Sequence, residues 1–219
     1  MLFDLKTTSA HHIYNLLIGL VAPRPIALIT SQDEEGRLNA APFSAYNYLS
    51  ADPPIVGIGI QRRPGTDVSK DTTHNIKATG TFVINVVTED IAEAMNVCST
   101  DFPAGVNELT MAGLTTTPSA YISVPRIAEA HAALECRKHS IIDIGRTEIV
   151  LGEVIALHVE DRFVDPKGPY IVAEELHAVG RMNGLGKYVH TRDAFLEIPR
   201  ISYEKWQKGE RPGKPLKSS

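Results

Sequence analysis

Apolar positions along this chain fall mostly in short extended runs, with little helical spacing. Ile26-Ala27-Leu28-Ile29-Thr30 follows Pro23-Arg24-Pro25 and leads to an Asp33-Glu34-Glu35-Gly36 tip, the signal of a hairpin. Ile55 to Ile60 alternates apolar residues with glycine, its start fixed by Pro53-Pro54, and Thr81 to Val87 reads as a buried strand. Ser140 to Ile144 and Glu148 to Val159 read as a long strand pair turned by Gly145-Arg146. Three short helices are expected. One carries Ile13, Leu16, Leu17 and Leu20, and a second starts near Asp71 and ends at Gly80. The third is capped by Thr88, with Glu89 and Asp90 favouring its dipole and Ile91, Met95 and Cys98 on one face. Many closely spaced strands and few helices predict a mostly β fold with α decoration, an antiparallel barrel. No internal repeat is visible. A single domain is expected over residues 1–208, followed by a frayed polar tail, GERPGKPLKSS, over residues 209–219.

Composition narrows the class. A chain of 219 residues with 43% hydrophobic residues can bury one sizeable core, which excludes a disordered chain and a disulfide-dependent scaffold. With 22 Lys and Arg against 26 Asp and Glu, the net charge of −4 offers no basic field for nucleic acid. No long uncharged apolar run suggests a membrane span, and the N-terminus has no basic start leading to an apolar stretch and cleavage site. Cys98 and Cys136 are far apart and form no C-x-x-C, so both are expected as reduced, buried thiols of a cytoplasmic protein.

Chemistry concentrates between Gln61 and Ile76, QRRPGTDVSKDTTHNI. Arg62, Arg63 and Lys70 supply cationic donors, Ser69, Thr72 and Thr73 hydroxyls, and Asp71 a cap for the helix that follows. The unpaired N–H groups and positive dipole end of that first turn complete a candidate phosphate cradle. It lacks both G-x-x-x-x-G-K-[ST] and G-x-G-x-x-G, and the competing reading is a solvated charged loop before a capped helix. Upstream, Asn39 to Tyr48 combines small residues, amides and aromatics in one extended run, open to a flat ligand or simply an ordinary barrel strand. His131, Glu135, Cys136 and His139 lie close together without zinc spacing, and on a strand 131, 135 and 139 would share a face opposite Cys136. They are read as structural. No G-x-S-x-G elbow supports a nucleophilic hydrolase. His177 to Tyr188 sets three glycines around an arginine and a tyrosine, a loop that packs closely against a ligand or another loop.

Taken together, these stretches resemble the flavin reductase-like family, which includes reductase components of two-component flavin monooxygenases and flavoredoxin. The resemblance rests on PRPIALITS, on G-x-x-N-x-A-P-F-S at Gly36 to Ser44, and on DPP at Asp52 to Pro54. It continues through SKDTTHNI at Ser69 to Ile76, GTFVINVV at Gly80 to Val87, DFPAGVNE at Asp101 to Glu108, AGLT at Ala112 to Thr115 and PRIAEAHAALEC at Pro125 to Cys136, ending at GR…Y from Gly180 to Tyr188. It implies an FMN-binding split β-barrel and a homodimer. By resemblance, Arg62 and Lys70 neutralise the FMN phosphate while Ser69, Asp71, Thr72 and the backbone complete the cradle. The flavin ring and ribityl chain would run along Pro42, Ser44, Ala45, Tyr46 and Asn47, with Arg24 and Arg181 as further candidates. NAD(P)H would be the transient hydride donor, and free flavin, a partner monooxygenase or another redox protein the acceptor. No protein nucleophile is required, because the flavin accepts the hydride. One departure is Leu109, which follows Glu108 where an aromatic is expected. Two other readings are a non-enzymatic FMN-binding electron carrier and a split-barrel domain without flavin.

Overall fold

The computed structural model describes residues 1–103, 105–168, 170–184, 186–192 and 202–209. In chain order the strands are β1 (Ala27–Gln32), β2 (Leu38–Phe43), β3 (Tyr46–Ala51), β4 (Pro54–Gln61), β5 (Thr81–Val86), β6 (Thr116–Thr117), β7 (Arg126–Ile127), β8 (Ala132–Ile144), β9 (Thr147–Val159), β10 (Val179–Arg181) and β11 (Tyr188–His190). The helices are α1 (Ala10–Leu20), α2 (Asp71–Thr79), α3 (Ala92–Val97), α4 (Glu108–Ala112), α5 (Ala173–Leu176) and α6 (Tyr203–Gln207). Seven strands form one antiparallel sheet in the order β2-β1-β5-β8-β9-β4-β3.

The sheet curls on itself because its two ends share one core. Ala27, Ile29, Phe43, Ile58, Ile60, Phe82, Ile84, Cys136 and Val150 pack together, and they come from β2 at one end and β4 near the other. On the opposite face of β1, Ile26 and Leu28 pack with Met95 of α3, Leu109 of α4 and Val179 of β10. Strand β1 is therefore buried on both faces, which is why its sequence is a continuous apolar run. Each such buried aliphatic contributes on the order of 1.5–3 kcal/mol. Gly152 lies under the Phe82 ring so closely that any Cβ there would overlap it. Leu109, at the departure from the family pattern, is a core residue.

Several local expectations need correction. The run from Asn39 to Tyr48 is two strands, broken at a Ser44-Ala45 corner where the Gly59 N–H donates to the Ala45 carbonyl at 2.7 Å. Strand β8 begins well before Ser140, and its pairing with β9 shifts register at Glu135/Cys136 and Lys138/Ser140. Glu135 and Cys136 face opposite sides, as expected, and both are buried because both faces are covered there: Cys136 packs with Phe82 in the barrel core and Glu135 lies against Ala120 and Tyr121. Asp71 does not cap α2. Lys70 holds the cap position and the Asp71 carboxylate is drawn to Arg63. Thr88 also makes no side-chain cap; a single tight turn over Glu89–Ile91 precedes α3. Ser9 caps α1, accepting from the His12 N–H at 3.3 Å, yet no residue of α1 is buried. The tail expected from Gly209 lies, beyond that residue, outside the described residues.

Candidate functional site

Strand β2 ends beside two cavities that share Pro42, Phe43 and Ser99, so together they make one groove. The larger, about 790 Å³, lies between α1 and the β10–β11 hairpin and is lined by Tyr14, Asn15, Arg24, Ser44, Met95, Arg181 and Tyr188 among others. The smaller, about 390 Å³, runs to the start of α2 and is lined by Asn39, Arg63, Lys70, Asp71 and Thr100.

Arg24 holds the larger cavity together. Its guanidinium donates to the Ile18 carbonyl at 2.6 Å and the Val21 carbonyl at 2.7 Å, tying down the end of α1. It also donates to the Met182 carbonyl at 2.7 Å and reaches the Ser44 hydroxyl at 3.4 Å. Burial pulls its pKa below the ordinary arginine value; nearby Tyr14 opposes that shift and Arg181 adds to it. The Arg181 guanidinium lies 4.7 Å over the Tyr188 ring. Its backbone pairs with that of Arg24 through two bonds of 2.9 and 2.8 Å. A side chain at Gly180 would meet Pro23 and Val189, so the glycine-rich loop packs on both the chain before β1 and the cavity.

In the smaller cavity Lys70 sits 6.0 Å over the Phe43 ring, and among the described residues its ammonium has no carboxylate at ion-pair distance. Arg63 faces the same space and chelates Asp71 with two contacts of 2.8 Å. The first turn of α2 receives no side-chain cap, so its backbone N–H groups and positive dipole end remain for a ligand. Thr72 is buried and its hydroxyl accepts from Asn39 Nδ2 at 3.0 Å, which binds α2 to β2. Asn107 caps α4, and the neighbouring Glu108 carboxylate accepts from the Ala40 N–H at 3.1 Å, fixing β2 from its other side.

Not every expected residue meets here. Arg62 lies on the other side of the chain from Arg63, bound to Asp67 at 2.8 Å and Asp143 at 2.7 Å. Ser69 donates to the fully buried Glu148 at 2.7 Å, where Lys77 also binds. Burial pushes the Glu148 pKa up, but Lys77, Ser69 and Arg62 outweigh it and hold the carboxyl below its usual range. Beyond the Ser44 corner, Ala45, Tyr46 and Asn47 line neither cavity. The Tyr46 ring packs on the barrel core, and burial pushes its hydroxyl up to about 12. Sequence reasoning missed Tyr14 and Asn15, which α1 brings over from a distant segment without any local signal. It also left Arg63 in the shadow of Arg62. Strand alternation past Gln61 is the clue that separates them.

The remaining candidates, His131, Glu135, Cys136 and His139, line neither cavity of the groove. His131 is held between Glu160 at 2.6 Å and Asp90 at 2.8 Å. Buried Glu135 accepts from the Ala120 and Tyr121 N–H groups and pairs with His158. No cluster of three metal-ligating side chains occurs among the described residues. Both cysteines are free and buried, and no helix among the described residues is long and apolar enough to cross a membrane.

The family model for the flavin reductase like domain matches residues 20–175, which span the barrel and the smaller cavity but not the β10–β11 hairpin nor, apart from Leu20, α1. The chain belongs to the flavin reductase-like family. It is similar to nitrilotriacetate monooxygenase component B from Bacillus cereus, at 30% identity and a TM-score of 0.84, over 90% of this chain and 98% of that one. It is also similar to the 2-nitrobenzoate 2-nitroreductase of Pseudomonas fluorescens, at 36% identity and a TM-score of 0.82, over 92% and 98%. A Shewanella frigidimarina protein described as a flavin reductase with split barrel domain, 24% identical over 92% and 100% with a TM-score of 0.79, shares the fold. The curled seven-stranded sheet is that split barrel.

Proposed function

We propose that this family member binds FMN in the groove and works as an NAD(P)H-dependent flavin reductase of the cytoplasm. The observation that carries this is the groove itself, a spacious end beside Pro42–Ser44 continuous with a cationic end at an uncapped helix start. The donor set fits a phosphate monoester: Lys70, which among the described residues has no carboxylate at ion-pair distance, Arg63, and the first N–H groups of α2. The ring would lie against Pro42, Phe43 and Ser44, where the backbone can read its polar edge. Bound flavin supplies the hydride-accepting centre. The chain orients that ring, keeps the phosphate fixed and leaves one face open to a nicotinamide. Arg24 acts as a positioning residue, holding Ser44 and the cavity wall. The acceptor in this reading is free flavin, a partner monooxygenase or another redox protein.

Anaerobic stopped-flow absorbance of the FMN-loaded protein, mixed with NADH and then NADPH, tests the activity. Bleaching of the flavin band within seconds is expected with at least one of them. If neither reduces the flavin within minutes while dithionite does, the protein is an electron carrier and the reductase reading fails.

The same reading includes a symmetric homodimer. Edge strand β3 exposes Tyr48 and Leu49, and the far end of β8, beyond its pairing with β5, exposes Ile142 and Ile144. Exposed apolar residues on sheet edges invite pairing unless covered, and an isologous contact with a second copy covers them on both chains.

A further inference from the structure

We propose that the cavity between α1 and the β10–β11 hairpin binds a small aromatic carboxylate, with its carboxylate on the Arg181 guanidinium and its ring among Tyr14, Tyr188 and the apolar wall. The site rests on the flavin reading only in taking Pro42–Ser44 as the floor on which the flavin lies.

Charge points to an anion. Two arginines and His11 line this cavity, and among the described residues that line it there is no aspartate or glutamate. That is unusual in a chain of net charge −4. Arg24 and Arg181 are close enough to repel one another, and Arg181 helps to pull the Arg24 pKa down. Several arginines elsewhere are neutralised by carboxylates, while Arg126 and Arg146 donate to backbone carbonyls instead. Arg37, Arg62, Arg63 and Arg162 each hold at least one carboxylate at 3.0 Å or less.

Only one of the two cavity guanidiniums is available. Arg24 spends its donors on three backbone carbonyls and Ser44. Arg181 forms no ion pair among the described residues; its side chain is half-buried and stacked on Tyr188. Stacking fixes the plane of the fork and leaves its N–H edge free, the geometry that receives a carboxylate through two parallel bonds. One free fork matches one carboxylate. The rest of the wall sets the class of the attached group: Ile18, Ile26, Phe43 and Met95 are apolar, and Tyr14 and Tyr188 are aromatic. A flat hydrophobic acid fits this lining, whereas a sugar or an inorganic ion leaves it unmatched.

Calorimetric titration of the FMN-loaded protein with benzoate, and with benzamide as the neutral isostere, tests the site. Benzoate should bind once per chain and at least tenfold more tightly than benzamide. Arg181→Met should weaken benzoate tenfold or more while FMN affinity changes less than threefold, and Arg181→Lys should restore part of the loss. Equal binding of the two probes, no benzoate binding, or benzoate binding indifferent to Arg181→Met each overturns the proposal. So does a tenfold loss of FMN affinity in Arg181→Met, which assigns the arginine to the flavin. Should the protein fail to take up FMN at all, the same titrations on the flavin-free chain decide the anion site separately from the flavin reading.

Discussion

An extended chain sends neighbouring side chains to opposite sides, and just past β4 this separates two adjacent arginines into different environments. Arg62 joins Asp67 and Asp143, while Arg63 turns with Lys70 toward the groove. Lys70→Ala should therefore weaken FMN by roughly 1.5–3 kcal/mol through loss of a charge-assisted contact. Arg63→Ala should weaken it by about 1 kcal/mol, since Asp71 already shares that charge. Arg62→Ala should leave FMN affinity closer to wild type than either, and riboflavin should bind all four proteins alike; fluorescence titration reads each value. The cysteines offer a second check. Burial pushes the Cys98 thiol up to about 11 and Cys136 higher still, so at pH 8 the Cys98 thiolate fraction is on the order of 10⁻³. A thiol-reactive dye should label neither residue in the folded protein and both in denaturant. These single-residue outcomes mark where sequence reading stopped. The cationic stretch and the small-residue strand were legible from residue type, whereas the choice between Arg62 and Arg63, and the arrival of Tyr14 and Asn15, depend on directions that only the folded chain sets.

Among the elements, α2 shows how the groove's cationic end is kept in place. Its last turn contributes Lys77 to buried Glu148 of β9, and Ser69, just before the helix, donates to the same carboxylate. Ser69 thus supports the cradle from behind. Glu148→Gln should destabilise the fold by about 2–3 kcal/mol at pH 7, at or below the low end for a broken buried pair because Lys77 reaches solvent. The Glu148 pKa is lowered by folding, so its contribution is fully present above the ordinary carboxylate value of 4.5 and disappears as pH falls through the lowered one. Wild type and Glu148→Gln should therefore converge in urea-unfolding stability below pH 4.5 and separate above it. Strand β9 and helix α2 were both legible in the sequence from apolar runs and a terminal glycine. Their link was not, because a glutamate in a strand looks solvent-facing until Lys77 and Ser69 are folded onto it.

For the whole molecule, the split barrel follows from antiparallel strands whose apolar residues serve two cores at once, one inside the curl and one beneath α3 and α4. The fold class was readable from this density of short apolar runs; the break between β2 and β3 and the curl were not, since nothing local says that β2 and β4 share an interior. Light scattering of the purified protein should give twice the chain mass of 23.9 kDa. Replacing Leu49 and Ile144 by lysine should shift it toward the single-chain value while FMN titration stays intact.

The reach of Arg24 has a consequence for how the protein is made. All seven strands of the sheet have been synthesised once β9 ends at Val159, yet Arg24 must wait for Met182, and its backbone for Arg181. A ribosome therefore releases the barrel before it releases the wall of the larger cavity. If the groove holds flavin as proposed, its capture belongs to the last stage of chain growth, and a nascent chain halted between β9 and β10 should resist protease as a barrel while retaining little flavin.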